Sequence, residues 1–205
     1  MTKPLILDIN SGNVMSLKNI INKFNDKVKI SNEESELELS THIFLPGVGS
    51  YSEVMNKIKE KINLDLLKKK LLTDKVLFLG ICVGMQVLSD IGYENETSNG
   101  LSIINGKVKK LNTKENLPHV GWNSLNLKTK NKIFEGIPNQ TDFYFTHSYV
   151  LELNDTTNEI SSTNYGTSFT SAINKQNIFG TQFHPEKSQS AGIKLIKNFL
   201  GIEVY

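Results

Sequence analysis

Three short apolar runs, each followed by a segment of helical periodicity, confine this chain to a small set of folds. PLILDI (4–9), HIFLPG (42–47) and KVLFLG (75–80) are apolar on successive residues, as strands buried on both faces are. Val14, Leu17, Ile20 and Ile21 mark one amphipathic helix within residues 14–24. Val54, Ile58 and Ile62, continuing to Leu66 and Leu67, predict a second, lysine-rich helix, and GMQVLSDIG (84–92) opens a third. Strands alternating with helices imply right-handed crossovers, hence parallel strands covered on both faces. Residues 101–111, 123–127, 143–153 and 168–173 alternate more and carry turn residues, as strands of a mixed sheet do. AINKQNIFGTQF predicts two strands joined by a polar turn at 174–177, and Ile193, Ile196, Phe199 and Leu200 mark a closing helix. No repeat, low-complexity tract or linker interrupts the 205 residues. The expectation is one α/β domain over 1–205: a central, mostly parallel sheet, helices on both faces and a mixed-sheet second half.

The charge balance narrows the partners. A formal charge of +2 gives little attraction for nucleic acid or an anionic membrane. All 23 basic residues are lysine, which rules out bidentate arginine clamps. A single cysteine excludes an intramolecular disulfide, MTKPLILDIN is too short an apolar run for a signal peptide, and no stretch is apolar enough to span a bilayer. A cytoplasmic setting is expected.

That cysteine, Cys82, sits in Gly80-Ile81-Cys82-Val83-Gly84, between the third strand and a helix. This is the context of a nucleophile elbow with sulfur in place of oxygen: a strained turn, with glycines removing the Cβ atoms that would collide. A helix start would stabilise the attacking thiolate through its dipole and free N–H groups. A buried structural cysteine is the plainer alternative, and a base decides between them. Of the four histidines, His42 opens a buried strand, while His119 and His147 could be packed or loop residues. His184 differs, because Glu186 lies two residues on in FHPEKS and shares its face in extended chain, with Pro185 fixing a torsion between them. A carboxylate behind an imidazole sets its tautomer and stabilises the imidazolium, although a surface His–Glu pair would look the same. The amide of Val83 is one candidate oxyanion donor, and the Val48–Gly49 segment of LPGVG could present another. That segment lacks the third glycine of a dinucleotide loop, there is no Walker A sequence, and Cys82 and the histidines show no metal-ligand spacing.

LPGVGSY, GICVGMQVL, GLSIINGKV, PHVGWNSL, FYFTHSY and GTQFHPEKSQSAG follow one another along the chain. In these segments it resembles the class I glutamine amidotransferases, and most closely the glutaminase subunits of imidazole glycerol phosphate synthases. The resemblance implies a triad of Cys82, His184 and Glu186 that cleaves the side-chain amide of L-glutamine, with no cofactor and no metal. It further implies that Gln86 and Glu94 hold the substrate's polar end, with backbone at His147, Ser148 and Tyr149 near its carboxylate. Gln86 could equally be a solvent-facing helix residue. The family's partner is a (β/α)8-barrel cyclase, HisF-like, joined as a heterodimer. By similarity Asn13, Trp122 and Lys187 lie near that interface, and the PGVG segment awaits docking before it aims a donor. Residues 8–15, DINSGNVM, lack the tyrosine, first glycine and basic residue that the family commonly has there. A paralogous glutaminase feeding a surface-sugar synthase, a stand-alone cysteine hydrolase and a non-catalytic, partner-binding homologue are the alternatives.

Overall fold

The three apolar runs pair as parallel neighbours. In the computed structural model, which describes residues 2–203, the first half runs β1 (Pro4–Ile6), α1 (Val14–Ile21), β2 (Lys29–Ile30), α2 (Glu34–Leu39), β3 (His42–Gly47), α3 (Tyr51–Lys61), α4 (Leu64–Leu72), β4 (Leu77–Cys82) and the one-turn α5 (Val83–Gln86). The second half adds β5 (Ile91–Gly92), β6 (Ser98–Asn99), β7 (Gly106–Lys110), β8 (His119–Ser124), β9 (Asn126–Leu127), β10 (Asp142–His147), β11 (Tyr149–Leu153), β12 (Glu159–Asn164), β13 (Ser168–Lys175), β14 (Ile178–Thr181) and α6 (Gln189–Leu200).

The main sheet has the order β2-β1-β3-β4-β14-β13-β12-β9. It is parallel from β2 through β14 and antiparallel beyond. The expected α/β class, with a mixed second half, is the observed one. Right-handed crossovers put α1 on one face and α2 to α4 on the other, because the chain steps one way from β1 to β2 and back to reach β3 and β4. Accordingly α1 packs with α6, and α2 with α4. Phe199 of α6 sets its ring edge-on against His42, Phe44 and Phe179, with centroids 5.4, 5.0 and 5.7 Å away. Two registers matter for the site: Gly47 lies opposite Cys82, and Gly80 lies opposite Gly180. A smaller sheet, β11-β7-β5-β6, and the hairpin-like pair β8–β10 flank the cleft side.

Three expectations about local structure are corrected, and one strand goes unannounced by the sequence. The long lysine-rich helix is two, because Ile62 is extended and the Asn63 side chain caps α4 by accepting the Leu66 N–H at 3.0 Å. The helix expected over 84–92 stops after one turn. The carbonyls of Val87 and Leu88 take the amides of Leu101, Ile103 and Ile104 instead, and Ile91–Gly92 joins β7 as a strand. Residues 143–153 break at Ser148, since β10 pairs with β8 and β11 with β7 in a different sheet. Strand β12 escapes the hydrophobic pattern because its sequence is EISSTN; Ser161 is fully buried and satisfied by Ser171 at 2.8 Å rather than by apolar packing.

Candidate active site

Cys82 ends β4 with φ +56° and ψ −113°, a region that costs a non-glycine residue roughly 1–3 kcal/mol. Its neighbours make room for that turn. A Cβ on Gly84 would overlap the carbonyl oxygen of Leu45, and one on Gly80 would overlap that of Gly84. The helix following the thiol is a single turn, so the field at its start comes from a few N–H groups rather than from a full-length dipole.

The strand next to β4 delivers the imidazole. Just past β14, the His184 N–H donates to Tyr144 O at 2.9 Å and its carbonyl accepts the Ser188 hydroxyl at 2.6 Å. Ser188 in turn accepts the Tyr144 N–H at 3.0 Å, so the backbone around His184 is tied on both sides. The ring's Nδ1 lies 2.8 Å from Glu186 Oε1, and both side chains are 1% exposed. Nε2 is buried with no hydrogen-bond partner, as is Glu186 Oε2. Burial pulls the His184 pKa down, but the nearby Cys82 charge and the Glu186 carboxylate outweigh it and push it up to about 10.

Cys82 and His184 share a cleft of about 90 Å³ with Val48, Gly49, Val83, Gln86, Glu94, His147, Ser148 and Tyr149. Those are the oxyanion and substrate residues expected from sequence; Thr146, also in the lining, was not among them. Glu186 stands behind the ring. The cleft is smaller than the ~300 Å³ at which ligand pockets usually begin, so a substrate must widen it. A larger groove of about 650 Å³ over residues 127–137 carries no cysteine and no histidine.

Two expected roles are qualified by what these residues already bind. The Val48 N–H donates to the Ser11 hydroxyl at 2.9 Å, and that hydroxyl bonds back to the Val48 carbonyl. The amide is therefore held by residue 11. Gln86 is buried, not solvent-facing, and its Nε2 donates to Tyr149 O at 2.8 Å and to Gln182 Oε1 at 2.9 Å. Glu94 lines the cleft with Oε2 accepting the Tyr51 N–H at 2.9 Å. Burial raises its pKa against the pull of that bond.

Asn13 is the N-cap of α1, accepting the Ser16 N–H at 3.4 Å. Trp122 is 47% exposed, so it is not core, and meets Tyr144 edge-on at 6.0 Å; Lys187 Nζ lies 5.6 Å from the centre of the same ring. Sequence reasoning overlooked Gln182 and Ser11. Gln182 stands two residues before His184, the spacing that singled out Glu186 on the other side, so applying the same face rule backwards would have found it. Ser11 gives no such signal, because its contact spans 37 positions.

The other three histidines are structural. His119 Nδ1 lies 3.1 Å from His147 Nε2, and His147 Nδ1 lies 3.1 Å from Tyr149 O. Burial lowers the pKa of His42 and His119 to about 4 and that of His147 to about 3, with the His119 charge adding to the effect on His147. The unfolded chain takes up these protons near pH 6.5, whereas the folded chain resists until pH 3–4. The contribution of these three groups is therefore fully present above pH 6.5 and is lost as pH falls towards 4, at most about 4 kcal/mol per pH unit. Denaturant midpoints measured between pH 7 and 4.5 should show this loss, and substituting His147 by glutamine should flatten it.

Among the described residues, no helix is long and apolar enough to cross a membrane, and no group of three or more His, Cys, Asp or Glu is placed to hold a metal ion.

The family model for glutamine amidotransferase class-I matches residues 5–202. The chain is 39% identical over 207 residues to the imidazole glycerol phosphate synthase subunit HisH of Pelagibacter ubique, covering 96% of this chain and 98% of that one. It is 44% identical over 198 residues to the subunit of the same name from Methanocaldococcus jannaschii, covering 95% and 97%. A solved glutamine amidotransferase superposes with a TM-score of 0.75 at 15% identity, covering 98% of this chain and all of the other, which speaks to the fold.

Proposed function

Because the chain belongs to the class I glutamine amidotransferase family, we propose that it is the glutaminase subunit of an imidazole glycerol phosphate synthase, releasing ammonia from L-glutamine for a step of histidine biosynthesis. One observation carries the site assignment: a sulfur on a strained turn shares a narrow cleft with an imidazole whose Nδ1 is braced by Glu186 and whose Nε2 is buried and bare.

The chemistry follows from those positions. With its pKa raised to about 10, His184 Nε2 holds the proton that Cys82 Sγ and the imidazole share, and the thiolate attacks the amide carbon of the glutamine side chain. The oxyanion faces the Val83 amide and, once the segment turns, an amide at Val48 or Gly49. The imidazolium then protonates the leaving nitrogen, ammonia departs, and a γ-glutamyl thioester remains. Water, surrendering a proton to His184, cleaves it to L-glutamate, and the sulfur leaves as thiolate. Glu186 fixes the tautomer and stabilises the imidazolium at both stages. Glu94 suits the substrate's ammonium group, and the backbone at 147–149 suits its carboxylate.

Ammonium is no nucleophile, so the ammonia must pass directly to an acceptor enzyme, here a (β/α)8-barrel cyclase bound as a heterodimer in the cytoplasm. Support for a partner face comes from β8. Val120 and Trp122 project from one side of it and are exposed, opposite Thr146 and Tyr144 of β10, while Val48 is exposed at the cleft itself. The resemblance assigns Asn13, Trp122 and Lys187 to this face, and the shared contact of Trp122 and Lys187 with the Tyr144 ring supports the last two. Expression with a cyclase in a histidine-requiring strain that lacks its own glutaminase tests the reading: growth is expected, and glutamine-dependent ammonia release without growth would point to a surface-sugar synthase instead.

The Ser11–Val48 contact predicts low activity without the partner. In Ser11→Ala, the Val48 amide loses about one hydrogen bond's worth of restraint, ~1 kcal/mol, which is about fivefold in the population free to turn. Glutamate release by the isolated subunit is expected to rise by about that factor, with little change in the complex.

A further inference from the structure

Beside the thiol lies a buried amide whose orientation is forced. Gln182 is fully buried, its Oε1 accepts from Gln86, and its Nε2 stands 3.6 Å from Cys82 Sγ. The Tyr149 carbonyl can only accept, so Gln86 must turn its nitrogen towards it. That same nitrogen reaches Gln182, which must then offer oxygen to Gln86 and N–H to the sulfur. Flipping either amide would set nitrogen against nitrogen, or oxygen against oxygen. The histidine pair runs in the same sense. His147 Nδ1–H donates to Tyr149 O, which leaves its Nε2 to accept from His119 Nδ1–H, and His119 Nε2 faces the Asn123 amide at 3.3 Å.

Besides the His184 imidazole, the sulfur's other neighbour is the Thr146 carbonyl at 3.9 Å, which can accept from a thiol S–H but offers nothing to a thiolate. We infer that Gln182 is a further catalytic residue, whose N–H, aimed by Gln86, donates to the Cys82 sulfur and stabilises the thiolate. The inference rests on the glutaminase reading for its role in turnover, though not for its effect on the thiol. When the proton moves from Sγ to His184 Nε2, the bond to Thr146 is lost and the bond from Gln182 becomes charge-assisted, roughly twice as strong as a neutral one. The same donor receives the charge again when water attacks the thioester and the carbon–sulfur bond breaks towards sulfur. Gln86 acts through Gln182 here, as a positioning residue.

Because Cys82 is the only cysteine, total alkylation by iodoacetamide reports this one sulfur. In Gln182→Met, which keeps length and removes the donor, the pH of half-maximal alkylation rate is expected to rise by about one unit. At neutral pH kcat for glutamine in the complex should fall about tenfold with KM nearly unchanged. A folded variant with an unmoved alkylation profile overturns the inference. Should that variant not fold, the nitrogen-labelled wild type decides: the Gln182 side-chain amide proton is expected to shift downfield as the thiol ionises and to return on alkylation, and a resonance indifferent to both overturns it. A moved alkylation profile in a protein that hydrolyses no glutamine with its partner would sink the proposed function and leave the sulfur–amide bond standing.

Discussion

With Cys82 replaced by alanine, glutamine hydrolysis in the complex falls to background, a loss of ~10⁴-fold or more on the scale of other nucleophile deletions. The fold should persist, because alanine keeps the Cβ at a turn that any non-glycine residue occupies under similar strain, and only one buried atom is removed. A second signature separates this from general damage. The His184 pKa is pushed up to about 10 partly by the Cys82 charge, so deleting the sulfur should bring it down, since burial opposes the remaining pull of Glu186. Titrating the His184 ring by NMR in wild type and variant would show the change. Retained ammonia release with the sulfur gone would remove Cys82 from the chemistry altogether.

Gly84→Ala is expected to cost several kcal/mol and to yield little folded protein. The added methyl would occupy the space of the Leu45 carbonyl oxygen, which is backbone of the adjoining strand and cannot swing aside as a side chain would. Relief requires the first turn of α5 to lift off β3, beside the register Leu45–Gly80 and Gly47–Cys82 in the middle of the buried sheet. Gly201→Ala is the matched control. Gly201 has φ −85°, and a Cβ there would meet nothing closer than 3.5 Å, so that change should be neutral or stabilising by about 0.4–1 kcal/mol. Thermal unfolding of the two variants should diverge sharply; similar midpoints would mean the elbow tolerates what its packing forbids.

The parts of this molecule that sequence discloses are those where one local cause dominates. HIFLPG and KVLFLG are buried on both faces, and burial of that kind is what makes a short segment apolar at every position. The elbow is local too, set by glycine spacing, and so is the His184–Glu186 pair. Glu186, however, stands on a 3-10 turn over Pro185–Lys187 rather than in the extended chain expected, so the turn and not strand alternation brings the two together. What stayed hidden depends on partners distant in the chain. Nothing in QVLSDIG announces that its carbonyls serve residues 101–104, and helical periodicity runs on where hydrogen bonding does not. Strand β12 hides its burial behind serines that satisfy each other across the sheet. Gln182 was within reach of the alternation rule, yet its partners Gln86 and Cys82 lie 96 and 100 positions away, and only the meeting of β4 with β14 gives the amide something to do.

That meeting also acts as a ruler. Gly180 sits against Gly80, where a Cβ would strike the Met85 side chain, so neither Phe179 nor Thr181 can take its place without collision. A slip of one residue would carry the base ~3.3 Å along the sheet and turn its side chain to the opposite face. The gap between sulfur and imidazole is thus quantised in whole rungs. Lineages can retune this centre by swapping what surrounds it, but the span itself offers no gentle gradient to climb.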